Sequence, residues 1–308
     1  INPLHHQPNT ILVGAKDVKK RAYIYELNTE TGFLKTLANG KDNDVNEWMV
    51  AANGRIGFGI SQNRGEMTFL ASADQHWQNF DSRNESLGLA FDGGSYLARR
   101  TIFLGLSNDE EVIYLSENIH TDRFRVVEYN LAEHRIQRIL ADDNRYDVGG
   151  DEHTQLIYDR YDGELAGIHY QTNRPETRWL DPELALLQLA IDKRYPTEVH
   201  RIKQWDEDKQ SLLVESYDQA ARATVYAVNS DSLNRLKLAD LNSKGNNAAA
   251  NQAVQFTSRD GYVLDGFLTV PTDAKGPSPL IVLPHGGPWS RDVWSYNEEA
   301  QFFAANGY

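Results

Sequence analysis

Pro279-Leu280-Ile281-Val282-Leu283-Pro284-His285-Gly286-Gly287-Pro288-Trp289 decides how the rest of the chain is read. Leu280 to Leu283 is an unbroken apolar run, the pattern of a strand covered on both faces. Two glycines follow, so the backbone there carries no Cβ and can approach a ligand closely. The reading is a buried strand running into a glycine turn near the end of the chain.

Working outward, the next elements are short. Val254 to Thr257 and Val263 to Val270 form a hairpin around Ser258-Arg259-Asp260-Gly261, and Pro271 ends its second strand. Lys275 to Pro279 is a Gly/Pro turn feeding the Leu280 run. Glu298 to Ala305 reads as a helix with Ala300, Phe302, Phe303 and Ala304 on its apolar side and Asn306-Gly307 as its stop. Asn242 to Gln252 is polar and unpatterned, a connection between domains.

Upstream, from Ile11 to Leu241, short strands alternate with turns. One hairpin type recurs around Asn28-Thr29-Glu30-Thr31-Gly32, Ala132-Glu133-His134 and Ser230-Asp231-Ser232. A second type sits at Asn53-Gly54, Phe91-Asp92-Gly93-Gly94 before Ser95-Tyr96-Leu97, Asp162-Gly163 and Asp206-Glu207-Asp208-Lys209. Asn-Gly and Asp-Gly favour tight hairpins because both central residues tolerate positive φ. Two hairpin types alternating at a period of roughly 40–50 residues match four-stranded propeller blades, of which about five are readable. The interval from Gly94 to Tyr161 implies a longer blade or an insertion. One helix interrupts the β region: Asp181 caps it, Pro182 and Glu183 open it, Leu184, Leu187, Leu189 and Ile191 are its apolar positions, and it stops near Tyr195-Pro196. It packs on a blade edge or serves as a lid or domain-contact element. The fold class expected from this pattern is an all-β propeller over residues 1–252, followed by a second domain that opens at residue 253.

Composition narrows the chemistry. The chain has 308 residues, 40% hydrophobic and 24% charged, as in soluble globular proteins. Lys plus Arg number 31 against 44 Asp plus Glu, a net charge of −13, which disfavours nucleic acid and anionic membranes. No apolar run approaches the roughly 18 residues of a membrane span. Cysteine is absent, excluding disulfides and Cys-based nucleophiles or metal sites. A cytoplasmic or a periplasmic location fits. Ile1 opens the chain in strand-like sequence without a visible signal peptide, so the N-terminus reads as incomplete.

A strand ending in His-Gly-Gly resembles the oxyanion loop of α/β-hydrolases, where a backbone N–H stabilises the tetrahedral intermediate of acyl transfer. Taken together, Phe256-Thr257-Ser258-Arg259-Asp260-Gly261, Gly266 to Pro271, Pro279 to Asp292 and Gln301 to Tyr308 closely resemble the start of the hydrolase domain in the prolyl oligopeptidase family of serine peptidases. The nearest look is to its acylaminoacyl-peptidase-like branch. Asp147-Val148-Gly149-Gly150 and Trp179-Leu180-Asp181-Pro182-Glu183 extend the resemblance more weakly upstream. It implies that residues 253–308 are the N-terminal part of an α/β-hydrolase domain, and that the propeller over residues 1–252 covers that domain and restricts entry to short peptides. It also implies removal of an acyl-amino acid or short peptidyl group through an acyl-enzyme, and a Ser–Asp–His triad located beyond Tyr308. No Gly-x-Ser-x-Gly occurs here; Gly59-Ile60-Ser61-Gln62-Asn63 lacks the second glycine. These residues alone are therefore expected to be inactive. The resemblance makes Gly287 the first choice of oxyanion donor and Gly286 the second. Elsewhere in the family a tyrosine stands where this chain has His285, so His285 is carried only as a neighbour of the loop. The rivals are an esterase acting on small acyl compounds and a non-enzymatic binding propeller.

Other candidates are weaker. His5-His6 lacks a third ligand at matching spacing, and His153 and His169 lack a two-ligand helical spacing, so no metal or cofactor is expected. Asp206-Glu207-Asp208 lacks the glycine and terminal Glu of a calcium loop. Glu152, Arg160 and Arg174 are candidates for anchoring a peptide terminus, with no motif to select among them. The partner expected is a short peptide substrate; a homo-oligomer is left open.

Overall fold

Local turn chemistry explains most of the architecture. In the computed structural model, which describes residues 2–3, 7, 9–41, 44–63, 66–73, 76–80, 101–119, 121–151, 153–242, 248–287 and 290–308, the same turn is built three times. Asn28, Asn130 and Asn229 each turn a side-chain oxygen onto a following backbone N–H: those of Thr31, Glu133 and Ser232 respectively. Four residues after each asparagine the backbone goes left-handed, at Gly32 (φ 70°), His134 (φ 53°) and Leu233 (φ 53°). An Asx turn plus one positive φ reverses the strand, and the asparagine supplies the first part. The third position tolerates even leucine because the surrounding ladder holds it.

A second turn is repeated 201 residues apart. Asp17 accepts from Arg21 N at 3.0 Å and pairs with its guanidinium at 2.6 Å, while Lys20 takes φ 63°. Asp218, Arg222 and Ala221 repeat this at 3.0 Å, 2.6 Å and φ 61°. Asp-x-x-x-Arg is thus a repeat signature that the hydrophobic pattern does not reveal.

These turns join antiparallel strands into successive meanders. The first holds β1 (Asn2–Pro3), β2 (Thr10–Lys16), β3 (Ala22–Asn28) and β4 (Leu34–Asn39), in that order. The second holds β5 (Glu47–Val50), β6 (Ile56–Asn63), β7 (Glu66–Ala73) and β8 (His76–Phe80). The third holds β9 (Thr101–Leu106), β10 (Val112–Glu117), β11 (Arg125–Asn130) and β12 (Arg135–Ala141). A three-stranded sheet follows, β13 (Gln155–Tyr158), β14 (Leu165–Gln171) and β15 (Pro175–Trp179). After helix α1 (Pro182–Arg194) come β16 (Val199–Trp205), β17 (Ser211–Tyr217), β18 (Ala223–Asn229) and β19 (Arg235–Asp240). A two-stranded hairpin, β20 (Asn251–Thr257) with β21 (Val263–Thr269), and helix α2 (Glu298–Ala305) complete the described elements. The molecule is mostly β, in sheets of neighbouring strands. No helix among the described residues is long and apolar enough to cross a membrane. The glycine turn expected at 91–94, with the strand expected after it, lies outside the described residues.

The chain divides into two units, Ile1–Ile168 and His169–Tyr308. In the first, Ala51 and Phe58 pack with Leu106, Ile113, Leu115, Val127 and Tyr129, all buried. The rings of Phe58 and Phe103 lie 5.5 Å apart. A second cluster joins Leu12, Ala22, Ile24 and Ala38 to Val45 and Trp48, whose indole N–H is satisfied by the Ala22 carbonyl at 2.7 Å. Burying each large side chain contributes about 1.5–3 kcal/mol.

In the second unit, Trp179 meets Trp205 edge to face at 5.9 Å, and Leu184, Ile191, Ile202, Leu212 and Val214 are buried. Asp181 caps α1 by accepting from Glu183 N at 2.8 Å and Leu184 N at 3.0 Å. The expected apolar face of α1 needs correction at Leu189, which is 65% exposed. At about 100° per residue, Ile191 returns to the azimuth of Leu184 whereas Leu189 lies about 140° away.

The expected strand at Leu280–Leu283 also needs correction. Residues 280–283 form no ladder with any described strand, and Leu280 and Val282 are each 75% exposed. A central parallel strand exists only through neighbours that pair with its backbone and cover its faces, and the described residues supply none.

Candidate functional site

The glycine turn occupies residues 285–287, just beyond that extended segment; Pro288 and Trp289 lie outside the described residues. Gly287 has φ 137°, which an L side chain rarely adopts, so glycine is required there on backbone grounds. Gly286 is different: a Cβ built on it would meet nothing within 4 Å. His285 folds back and its Nδ1–H donates to the Gly286 carbonyl at 2.6 Å. A carbonyl only accepts, so the bond requires the proton on Nδ1. The segment 282–287 is exposed.

Immediately downstream the chain is fastened. Arg291 Nη2 donates to the Gln171 carbonyl at 2.8 Å. Trp294 is 2% exposed, and its Nε1–H donates to the Asn251 carbonyl at 2.8 Å. The Arg174 guanidinium stands 4.1 Å over the Trp294 ring, and the Tyr217 ring meets it edge on at 6.1 Å. Asn251 Nδ2 returns a bond to the Ser295 carbonyl at 2.9 Å. Gln301, on α2, bonds both the N–H and the carbonyl of Ala249 at 2.8 Å. The end of the expected polar connection is therefore fixed, with Ala249 buried; residues 243–247 lie outside the described residues. Arg291 and Gln301 lie inside the stretches that carry the family resemblance, with no role implied for either, and Trp294 lies outside them. The signal for Trp294 in the sequence is slight: a tryptophan beside Val293 in the mostly polar stretch Ser290 to Asn297.

A Ser–His pair does occur, and it is structural. His200 Nε2 lies 2.9 Å from the Tyr195 carbonyl, so it carries the proton, and Nδ1 accepts from Ser216 Oγ at 2.8 Å. Both residues are buried, and every polar position of the imidazole is occupied by the protein's own groups. A nucleophile needs an exposed oxygen next to an open acyl site, so this pair fastens α1 to β16 and β17.

The remaining candidates disperse. His169 is buried against Thr177 Oγ1 at 3.3 Å; burial and the nearby cations Arg201 and Lys203 hold its pKa down at about 3. The His153 backbone N–H donates to Asp151 at 3.0 Å. Asp206 accepts from Ser211 N at 2.9 Å across its own hairpin, which pulls its carboxyl below the usual range. Arg160 lies over Tyr161 at 4.7 Å, and Arg174 over Trp294. Desolvation lowers the Arg174 pKa from its ordinary value. No group of three or more metal-ligating side chains comes together among the described residues. His5, His6 and Glu152 lie outside the described residues.

No family model matches the chain. All of it aligns with dipeptidyl aminopeptidase BIII of Pseudoxanthomonas mexicana, at 24% identity over 320 aligned positions, covering 44% of that protein. Among solved structures, a Mycobacterium tuberculosis puromycin-hydrolyzing peptidase superposes with a TM-score of 0.51 and 14% identity, over 97% of this chain and 50% of that one. A prolyl endopeptidase structure gives a TM-score of 0.52 and 11% identity, over 96% and 43%. The chain spans about half the length of these relatives, and over that half it has the fold of prolyl oligopeptidase-type peptidases. The resemblance drawn from residues 254–308 agrees with these neighbours.

Proposed function

We propose that residues 1–252 form propeller blades and residues 253–308 the leading part of the hydrolase domain of a serine peptidase. The peptidase releases an acyl-amino acid or a short peptidyl group from the N-terminus of small peptides through an acyl-enzyme. The observation that carries this reading is the His285-Gly286-Gly287 turn with its left-handed Gly287, set in a chain whose full length aligns with 44% of an aminopeptidase. In it, the Gly287 N–H is the oxyanion donor and the Gly286 N–H the alternative. Nucleophile, base and orienting acid come from the part of the longer protein that these 308 residues do not include. A dipeptide as the released unit is the second reading, favoured by the name of the aligned aminopeptidase.

The test is a fluorophosphonate probe together with acyl-aminoacyl and dipeptidyl p-nitroanilides. The complete protein should be labelled and should cleave at least one anilide class, whereas the 308-residue chain should do neither. Cleavage of simple esters alone, with both anilides untouched, would make it an esterase. No labelling of the complete protein would leave a binding propeller.

A further inference from the structure

The turn that presents Gly287 is held by little of its own. Between Thr269 and Ser290 the hydrogen bonds among the described residues run only to near neighbours: Ala274 N to the Pro271 carbonyl, and His285 to Gly286. The fastening begins four residues beyond Gly287, at Arg291, and is completed at Trp294. Fully extended, four residues reach at most about 14 Å and seven about 25 Å, so these two anchors bound where the turn can be.

Trp294 is the stronger anchor. It combines burial, a satisfied indole N–H, a cation over one face and an aromatic edge. Its partners come from three separate places. Arg174 lies in the connection between β14 and β15, Tyr217 ends β17, and Asn251 begins β20. The indole therefore ties the chain after the turn to a sheet framework that precedes it by up to 120 residues.

We propose that Trp294, seated between Arg174 and Tyr217, is a positioning residue for the oxyanion turn. It touches no reacting atom; it fixes the tether from which Gly287 is presented. This inference rests on Gly287 being the oxyanion donor. Displacing a catalytic donor by about 1 Å can cost on the order of 100-fold in rate, and the loss falls on kcat when substrate binding is unaltered.

The experiment uses the complete protein, with Trp294→Leu, Trp294→Phe and Arg174→Met. Each is assayed for kcat and KM on a peptide anilide, with kcat expressed per active site titrated by a burst reagent. Trp294→Leu should lower kcat per titrated site by roughly 10- to 100-fold with KM within about threefold. Trp294→Phe keeps a ring between Arg174 and Tyr217 and should recover most of that loss. Arg174→Met keeps the packed stem without the cation and should show a smaller loss of the same kind; it decides the matter if Trp294→Leu does not accumulate. Fewer titrated sites with an unchanged kcat per site in both positions would mean that Trp294 only stabilises the fold, and would overturn this inference alone. A wild-type protein inert to both probe and peptide would overturn the peptidase reading and this inference with it.

Discussion

Gly287 and Gly286 are adjacent, yet their backbones make different demands. At φ 137° Gly287 accepts no ordinary side chain, whereas Gly286 faces open space. Gly287→Pro both removes the N–H and forces φ near −65°. In the complete protein it should lower kcat about 100- to 1000-fold, the usual loss for one oxyanion donor. Gly286→Ala should change kcat less than about threefold if Gly287 is the donor; steady-state kinetics on a peptide anilide separates the two. His169 offers a second test, this time of stability. Its folded pKa of about 3 lies well below the ordinary 6.5. Above pH 6.5 both folded and unfolded states hold it neutral and it adds no pH dependence. As pH falls from 6.5 toward 3 the unfolded state takes up a proton that the folded state refuses, so stability is lost at up to about 1.4 kcal/mol per pH unit. Urea unfolding of His169→Gln should show a correspondingly shallower loss between pH 6.5 and 4.5; parallel curves would reject the assignment. Gly287 was legible because its positive φ restricts residue type locally, a demand that Gly286 is not under. Trp294 was not, since its meaning lies in partners such as Arg174 and Tyr217 that no local pattern connects to it.

Elements were legible where local chemistry decides them. Asp181-Pro182-Glu183 announces α1, because N-terminal N–H groups need acceptors that only certain residues supply, whereas α2 is read from its apolar positions and its Asn306-Gly307 stop, and its cap, Asn297, emerges only in the structure. Asp181→Ala removes the cap to Glu183 and Leu184 and the partner of Lys209 Nζ, 3.2 Å away. It should destabilise by about 1–2 kcal/mol, of which the partly buried ion pair is the minor part. A shift of the urea midpoint at constant slope would measure it, and no shift would show that the cap is redundant with tertiary packing. The hairpins at Asn28, Asn130 and Asn229 were legible for the same reason as the helices, whereas the Asp-x-x-x-Arg turns at 17–21 and 218–222 carry no hydrophobic signature. Leu280–Leu283 shows the converse. Its composition is that of a central strand, but a strand is a property of its neighbours, and composition cannot provide them.

At the scale of the molecule, two quantities oppose each other: net charge and uncovered apolar surface. A charge of −13 keeps copies apart at low ionic strength. Against it, Leu280 and Val282 stand exposed with Phe302, and the hairpin of β20 and β21 carries exposed Phe256 and Val263 on its strands and Tyr262 in its turn. Unpaired strand edges beside exposed aliphatic side chains are templates for association. The repulsion is screened by salt, with a Debye length falling from about 10 Å at 0.1 M to about 3 Å at 1 M, while apolar contacts are not weakened by it. The 308-residue chain should therefore self-associate more readily as salt rises, seen as growing scattered intensity and hydrodynamic radius at fixed protein concentration. Leu280→Lys with Val282→Lys replaces the two most exposed aliphatic positions of the segment by charges that do not enter a shared apolar contact. Although these lysines bring the net charge closer to zero, they should lower the association at high salt. If association is unchanged in the double variant, the contact is made elsewhere, and the same substitution on the β20–β21 face, Val263→Lys, becomes the one that should suppress it.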